Sequence, residues 1–401
     1  MPNLLLEKEK NSTKMHIVGI VAEFNPFHEG HGYFVDKIKD KYPDSLLISV
    51  MSGNFVQRGE PALYDKWKRS RVAIENGIDL VVQLPTRFSN ASSCFFAYGA
   101  IEILNALGVN TIAFGSETGD LNKILELADI LYNNSSELNK YAASRVRSGV
   151  SFPRARDDFL REKLVGSNLY SDLNSSGEFY IESNDILGID YILSSKKLGY
   201  DGDFFVVKRK GLEHNLSASI IRDNYYFQNP DVLKSLQDSF FAILSSKMSA
   251  IISNEASIEK TNYDFELYNT LKREWRKLKS INEIEDFLVS KMHTRARVRR
   301  FLISILIGLD TPKVENDCGQ NVVYPLAFNK NGARYLKGIK NNSDNNIVFL
   351  DGIKTNYINR DESLRSISED EIKSTDVYNI LMSKDLYKNC ELVKNPQYLD
   401  I

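Results

Sequence analysis

Residues 16–34 read HIVGIVAEFNPFHEGHGYF. The first nine are strand formers in a nearly unbroken apolar run, the pattern of a strand buried on both faces. Pro26 interrupts the run, and two histidines three apart follow, His28 and His31, with Gly30 between them. Apolar residues then resume at helical spacing over 32–42. Five histidines serve the whole chain, so two in one turn need a reason. The pair falls where a strand hands over to a helix, and open α/β sheets bind ligands beyond the carboxyl ends of their strands. A helix start offers unpaired N–H groups and partial positive charge, which suit phosphate. Gly30 lets a ligand approach the backbone, and two imidazoles add donors for charge growing on a phosphate. The plain alternative is a packed loop histidine beside a helix-start histidine. A shared metal is a third reading, but no cysteine or third histidine lies nearby in the chain, so no metal site is expected.

Working outward, the alternation continues. Strand chemistry recurs at 45–53, 78–85 and 109–117, with helical spacing over 64–77, 96–108 and 121–132 between and after. Apolar strands alternating with amphipathic helices predict right-handed crossovers and a Rossmann-like, doubly wound parallel sheet, an α/β fold. Residues 136–200 read as mostly helical, and 202–211 return to strand chemistry. After about 230 the alternation fades into helices over 230–253 and 281–309, then a short strand–helix–strand pattern over 324–350. The expected division is a flexible extension over 1–15, an α/β unit over 16–235 and a mostly helical unit over 236–401.

With 401 residues the chain is long enough for a substantial core, and a net charge of −2 excludes a polycation. A nucleic-acid partner therefore needs a local basic patch. The run KMHTRARVRR (291–300) is the candidate. On a helix Val298, Phe301, Leu302 and Ile305 share one face, Arg295 and Arg299 edge it, and Arg300 lies further round. Such a stripe packs on a core while offering cations to RNA phosphates, although a solvated helix face explains it equally well. Cys94, Cys318 and Cys390 are too scattered for a disulfide framework or a zinc set, so reduced thiols and a cytoplasmic location are expected. The longest apolar run, 301–309, is well short of a membrane span, and no membrane partner is expected.

Further candidates lie at other strand ends. MSGNFVQRGEPAL (51–63) follows the second strand; Gly53 and Gly59 permit a tight backbone, and Arg58 suits a phosphate or carboxylate. Gly115 closes the fourth strand, where a glycine is usually a turn. Asn184 opens a helix, where capping by Ser183 or Asn184 explains it as well. Lys208, Arg209 and Lys210 gather cations at a strand end. SASIIR (217–222) places Ser217 as an N-cap with Arg222 following.

FHEGH resembles the HxGH signature of the HIGH-motif nucleotidyltransferase superfamily. GIVAEFNPFHEGHGYF, VMSGNFVQRGEPAL, FGSE, SNDILGIDY, KRKG and SASIIR occur in the order found in the bacterial tRNA(Met) cytidine acetate ligases. TRARVRRFL and LAFNKNGARYLKGIK look like that family's C-terminal pieces, so the resemblance covers most of 16–340. It implies ATP-dependent acetylation of the wobble cytidine of elongator tRNA(Met), through acetyl-adenylate and release of pyrophosphate. ATP, acetate and tRNA(Met) are the implied partners, with Mg2+ accompanying the triphosphate, an ATP-binding domain over 16–235 and a tRNA-binding region beyond. His28 and His31 are the implied catalytic pair. The implied ATP site begins with Val21 and Ala22 at the strand end and passes through Glu23, Phe24, Asn25, Pro26 and Phe27. It continues from His28 through Glu29, Gly30, His31, Gly32, Tyr33 and Phe34. Gly115, Asn184, Arg209, Ser217, Ser219 and Arg222 complete it, the serines as part of a mobile motif closing over the triphosphate. Arg295, Arg299 and Arg300 are the tRNA contacts. Gly32, Phe34 and the stretch around His214 depart from the family pattern. Two rival readings are a small-molecule adenylyl- or cytidylyltransferase, and a non-catalytic RNA-binding protein with a nucleotide pocket.

Overall fold

Seven strands make the central sheet: β1 (Ile17–Ala22), β2 (Leu46–Ser52), β3 (Leu80–Leu84), β4 (Thr111–Ser116), β5 (Asp203–Lys208), β6 (Pro325–Phe328) and β7 (Gln397–Tyr398). Their order is β7-β6-β3-β2-β1-β4-β5, and β1 to β5 are mutually parallel. The computed structural model describes residues 15–165, 167, 169, 181–209, 217–253, 264–309, 322–341, 347–350 and 362–401. Residues 1–14 of the expected extension, Lys210, His214 and Cys318 lie outside the described residues.

The α/β architecture is the one the alternation predicts. β2 and β3 are buried along their whole length, as continuous apolar runs require. Helices Ser93–Ala106, Leu121–Asn133 and Ser183–Leu198 cover one face through Leu104, Leu127 and Ile189. Helices Glu29–Lys41 and Lys66–Glu75 cover the other through Val35, Ile38 and Ile74. From β1 the chain winds outward to β2 and β3, then returns to place β4 and β5 on the opposite side. This switch point opens a crevice at the carboxyl ends of β1 and β4.

The region after 235 departs from the expected picture in two ways. β6 pairs antiparallel with β3, with a register shift between Val81 and Val82, and β7 joins β6, so the sheet crosses the expected boundary. β6 is the first strand expected over 324–350, but the pattern does not give its pairing; β7, of two residues, is too short for periodicity to reveal. The helix expected over 281–309 is two helices, Ile281–Leu288 and Arg295–Ile307. Between them Ser290 Oγ accepts from the His293 N–H at 3.1 Å, and Thr294 caps the second helix by accepting from the Arg297 N–H. Val298, Phe301, Leu302 and Ile305 do share the buried face, packing with Tyr268, Leu244 and Tyr378 in a separate helical core.

A buried polar cluster locks helix Glu362–Leu381 to the sheet. Lys66 Nζ, on a side chain 1% exposed, pairs with Glu391 and donates to Gln83 Oε1 at 2.5 Å. Glu371 accepts from the Thr86 N–H at 2.6 Å and from the Thr86 hydroxyl at 2.8 Å, and also from the Gln83 amide. Glu391 accepts from the Tyr324 hydroxyl at 2.6 Å and from Thr375 at 2.5 Å. Burial raises the Glu371 carboxyl to about 7, against the pull of Lys66.

Candidate active site

Beyond Ala22 the chain turns sharply. Phe24 sits in the left-handed region, φ 44°, a conformation costing about 1–3 kcal/mol for a residue with a Cβ. Its ring is buried against Phe27 and the edge of His31, both centroids at 5.1 Å, and that burial offsets the strain. The Asn25–Pro26 peptide is cis. Asn25 Oδ1 accepts from the Leu63 N–H at 2.8 Å, so the following loop holds the turn from outside.

His28 is the N-cap of the first helix, and the two imidazoles cap it reciprocally. His28 Nδ1 accepts from the Gly30 N–H at 3.0 Å, and His31 Nδ1 from the His28 N–H at 3.3 Å. The ring centroids are 3.9 Å apart. An accepting Nδ1 leaves the proton of each neutral ring on Nε2, the ring atom left to donate. Burial, reinforced by the Arg209 cation, lowers both rings; His31 falls to about 3, with His28 contributing. The pair is therefore neutral, with its donor tautomer set by the backbone. Around it Glu29 is exposed in the first helical turn, a Cβ on Gly32 would meet open space, and Phe34 packs on the apolar layer.

β4 and β5 bring up the next group. The Arg209 N–H donates to the Ser116 carbonyl at 2.9 Å, continuing the β4–β5 register that pairs Gly115 with Val207. A Cβ on Gly115 would lie 3.6 Å from Arg209 Cγ, so the arginine stem runs beside this glycine. Arg209 Nη1 is 3.7 Å from Glu117 Oε1, and its side chain is 45% exposed. Glu117 also accepts from the Asn184 N–H at 3.2 Å and from the Asn184 side-chain amide. Neither Ser183 nor Asn184 caps that helix. Its N-cap is Glu182, with no side-chain bond, and Glu117 reaches the helix start from across the crevice. Glu117 stands in FGSE without an assigned role, yet it joins Asn184 to Arg209.

Helix Ala218–Gln228 carries the serine motif. Ser217 caps it, accepting from the Ile220 N–H at 3.4 Å and lying 3.0 Å from the Ser219 hydroxyl. Arg222 Nη1 donates to the Asn25 carbonyl at 2.7 Å, which sets this helix on the HxGH turn. The histidine turn, Arg209 with Asn184, and the serine motif are thus gathered at the carboxyl ends of β1, β4 and β5.

Loop 53–63 forms a hairpin of Phe55–Val56 with Glu60–Pro61, turning at Gly59 with φ 75°. Its Gln57 N–H donates to the Glu23 carboxylate at 2.7 Å. Burial raises the Glu23 carboxyl, while that N–H and Arg69, Arg58 and Arg222 pull it down. Arg58 is exposed at the hairpin tip. Arg69, which sequence reasoning passed over, is buried beneath. It donates to the carbonyls of Glu23 at 2.5 Å, Ser52 at 3.1 Å and Tyr64 at 2.9 Å, and to that of Gly53. One guanidinium thus pins the ends of β1 and β2; an arginine in a helix carries no local sign of such a task.

The three arginines expected to meet RNA are paired within the protein. Arg295 donates to Glu285 at 3.0 Å and Asp286 at 2.7 Å. Arg299 donates to Glu285 at 3.0 Å and approaches Glu60 at 3.5 Å. Arg300 donates to the Gln57 carbonyl at 3.0 Å, and burial lowers it to about 10. Arg295 keeps the most exposure of the ion-paired two, 48% against 34% for Arg299.

Among the described residues no three His, Cys, Asp or Glu side chains are grouped to hold a metal ion, and no helix is long and apolar enough to cross a membrane. The HIGH Nucleotidyl Transferase family matches residues 15–391. A tRNA(Met) cytidine acetate ligase of Clostridium perfringens is 35% identical over 392 residues, covering 92% of this chain and 96% of that one. One of Thermoanaerobacter sp. is 32% identical over 408 residues, covering 94% and 97%. In the solved structures, Thermotoga maritima TmcAL bound with alpha-thio ATP shares the fold, with a TM-score of 0.80 over 96% of this chain and 100% of that chain at 24% identity. Identity above 30% along nearly the full length, with the family match, shows that this chain belongs to the HIGH nucleotidyl transferases and, within them, to the tRNA(Met) cytidine acetate ligase family.

Proposed function

We propose that this protein uses ATP and acetate to acetylate the wobble cytidine of elongator tRNA(Met). The observation that carries the reading is the neutral imidazole pair, Nε2–H groups left to donate, at a helix N-terminus in the switch-point crevice. The names of the relatives carry tRNA(Met), cytidine and acetate, and the similar Thermotoga maritima structure is bound with alpha-thio ATP.

In the first step an acetate oxygen attacks the α-phosphorus of ATP in line, forming acetyl-adenylate as the bond to pyrophosphate breaks. His28 and His31 donate through Nε2 to phosphate oxygens whose charge grows. Arg209 adds a fixed cation at the crevice, and Ser217, Ser219 and Arg222 approach from the other side. Being neutral, the histidines stabilise by hydrogen bonding without first losing a proton. Positioning and electrostatics carry the step, and no protein nucleophile is needed. In the second step the cytidine N4 amine attacks the acetyl carbonyl, AMP leaves and the nitrogen loses a proton, giving acetylcytidine. Mg2+ held by triphosphate oxygens would neutralise phosphate charge. Among the described residues no three His, Cys, Asp or Glu side chains are grouped to hold it, and no step is assigned to the ion. The helices after residue 235 serve as the RNA-facing region, with Arg295 its most exposed assigned cation, and the substrate places the protein in the cytoplasm.

The test is acetate-dependent ATP–pyrophosphate exchange, followed by mass analysis of tRNA(Met) incubated with protein, ATP and acetate. Exchange and the gain of one acetyl group are expected. Exchange that ignores acetate, or tRNA(Met) of unchanged mass, overturns the reading.

A further inference from the structure

We infer that the hairpin Phe55–Pro61, through Gly59 and Glu60, positions helix Arg295–Ile307 against the HxGH turn, and that acetyl transfer to RNA needs this strut while adenylate formation does not. The inference rests on the function proposed above and adds positioning residues to it.

The hairpin is bonded on both sides. Towards the crevice the Gln57 N–H donates to Glu23 at 2.7 Å, and Glu60 lies 4.0 Å from Arg222 Nε, whose Nη1 holds the Asn25 carbonyl. Towards the helix the Gln57 carbonyl accepts from Arg300 at 3.0 Å, and Glu60 lies 3.5 Å from Arg299. One residue's backbone thus bonds the turn with its N–H and the helix with its C=O. At Gly59 the contact is tightest: a Cβ would fall 2.4 Å from the Arg300 backbone nitrogen, and φ 75° disfavours any other residue. Asn90 secures the same helix by donating to the Arg300 carbonyl at 3.0 Å.

These contacts bear differently on the two steps. The imidazoles, Arg209 and Asn184 are set by β1, β4, β5 and their helices, and among the described residues none hydrogen-bonds to the hairpin; Arg222 meets Glu60 only at 4.0 Å and is held independently by its 2.7 Å bond to the Asn25 carbonyl. Acetyl transfer instead needs an RNA amine, carried by the helical region, at attacking distance from an adenylate held by the sheet. A misplacement of 1 Å costs on the order of 100-fold in such a step. The hairpin spans that gap.

The experiment compares Gly59→Ala and Glu60→Gln with wild type in the full chain, using acetate-dependent ATP–pyrophosphate exchange, single-turnover transfer to tRNA(Met), KM for tRNA(Met) and thermal unfolding. Exchange and KM within about threefold of wild type are expected, with the transfer rate down about 10- to 100-fold. Equal loss in both half-reactions, or transfer at the wild-type rate, overturns the inference. Should Gly59→Ala fail to fold, Glu60→Gln decides, because it keeps size and removes only charge. Wild type lacking acetate-dependent exchange is a different result and brings down the functional reading together with the strut.

Discussion

The HxGH turn and the Lys66 cluster are both dense in polar groups, and they use them in opposite ways. In the turn, each imidazole spends one nitrogen on the backbone and, among the described residues, keeps the other to donate. In the cluster, Lys66, Glu371, Glu391, Gln83, Thr86, Tyr324 and Thr375 satisfy one another away from solvent. The turn is where we propose that a nucleotide binds; the cluster is complete and joins the C-terminal helix to the sheet. Polar density alone therefore does not mark a site. The donors left over after internal pairing do.

The largest expected effect tests the completeness of the cluster. Lys66→Met leaves Glu391 buried without its cation and should cost about 3–5 kcal/mol in urea unfolding. Adding Glu391→Gln should recover part of the loss, and no recovery would break the view that the cluster is internally balanced. Next, His31→Ala should slow acetate-dependent exchange about 100-fold or more, with a loss of about 1 kcal/mol in stability from the missing cap. Undiminished exchange would remove this ring from the chemistry.

Titration separates the regions further. The Glu371 carboxyl is raised to about 7, so between about 4.5 and 7 the folded state holds a proton that the unfolded state releases. Stability from this group is full below about 4.5 and falls as pH rises through 7. His31, lowered to about 3, acts oppositely, and stability from it rises between about 3 and 6.5. Comparing Glu371→Gln with wild type across pH 4.5–8 isolates the first slope. If the difference between the two midpoints does not change with pH, the raised carboxyl is refuted. The smallest effect is at Ser217, whose capping bond is long: Ser217→Ala should cost about 1 kcal/mol or less in stability. A larger rise in KM for ATP than that loss explains would put the hydroxyl on the nucleotide.

The α/β sheet was legible because parallel strands buried on both faces are written as continuous apolar runs separated by amphipathic helices. The Ser217 cap and the buried face of helix Arg295–Ile307 were legible for the same kind of reason, since neighbours in the chain decide them. Arg69, Glu117 and the cluster were not. Gln83 and Glu371 are 288 positions apart, and nothing near either residue announces the other. The strand at β6 was legible but its antiparallel place beside β3 was not, β7 was too short to show a period, and the break at 289–294 depends on a bond between Ser290 and His293 inside an otherwise helical pattern.

By itself the chain determined its local order: where strands end, which helix starts receive histidines or serines, and which helical faces seek a core. These follow from side-chain periodicity and turn chemistry, which act over a few residues. Only the tertiary structure decided which charges would cancel. It paired Arg295 and Arg299 with Glu285, Asp286 and Glu60, bonded Arg300 to the Gln57 carbonyl, and left the histidine pair with donors to spare among the described residues. Hydrogen bonds and ion pairs act over a few ångströms of space, whatever the separation along the chain, and the fold alone sets those distances.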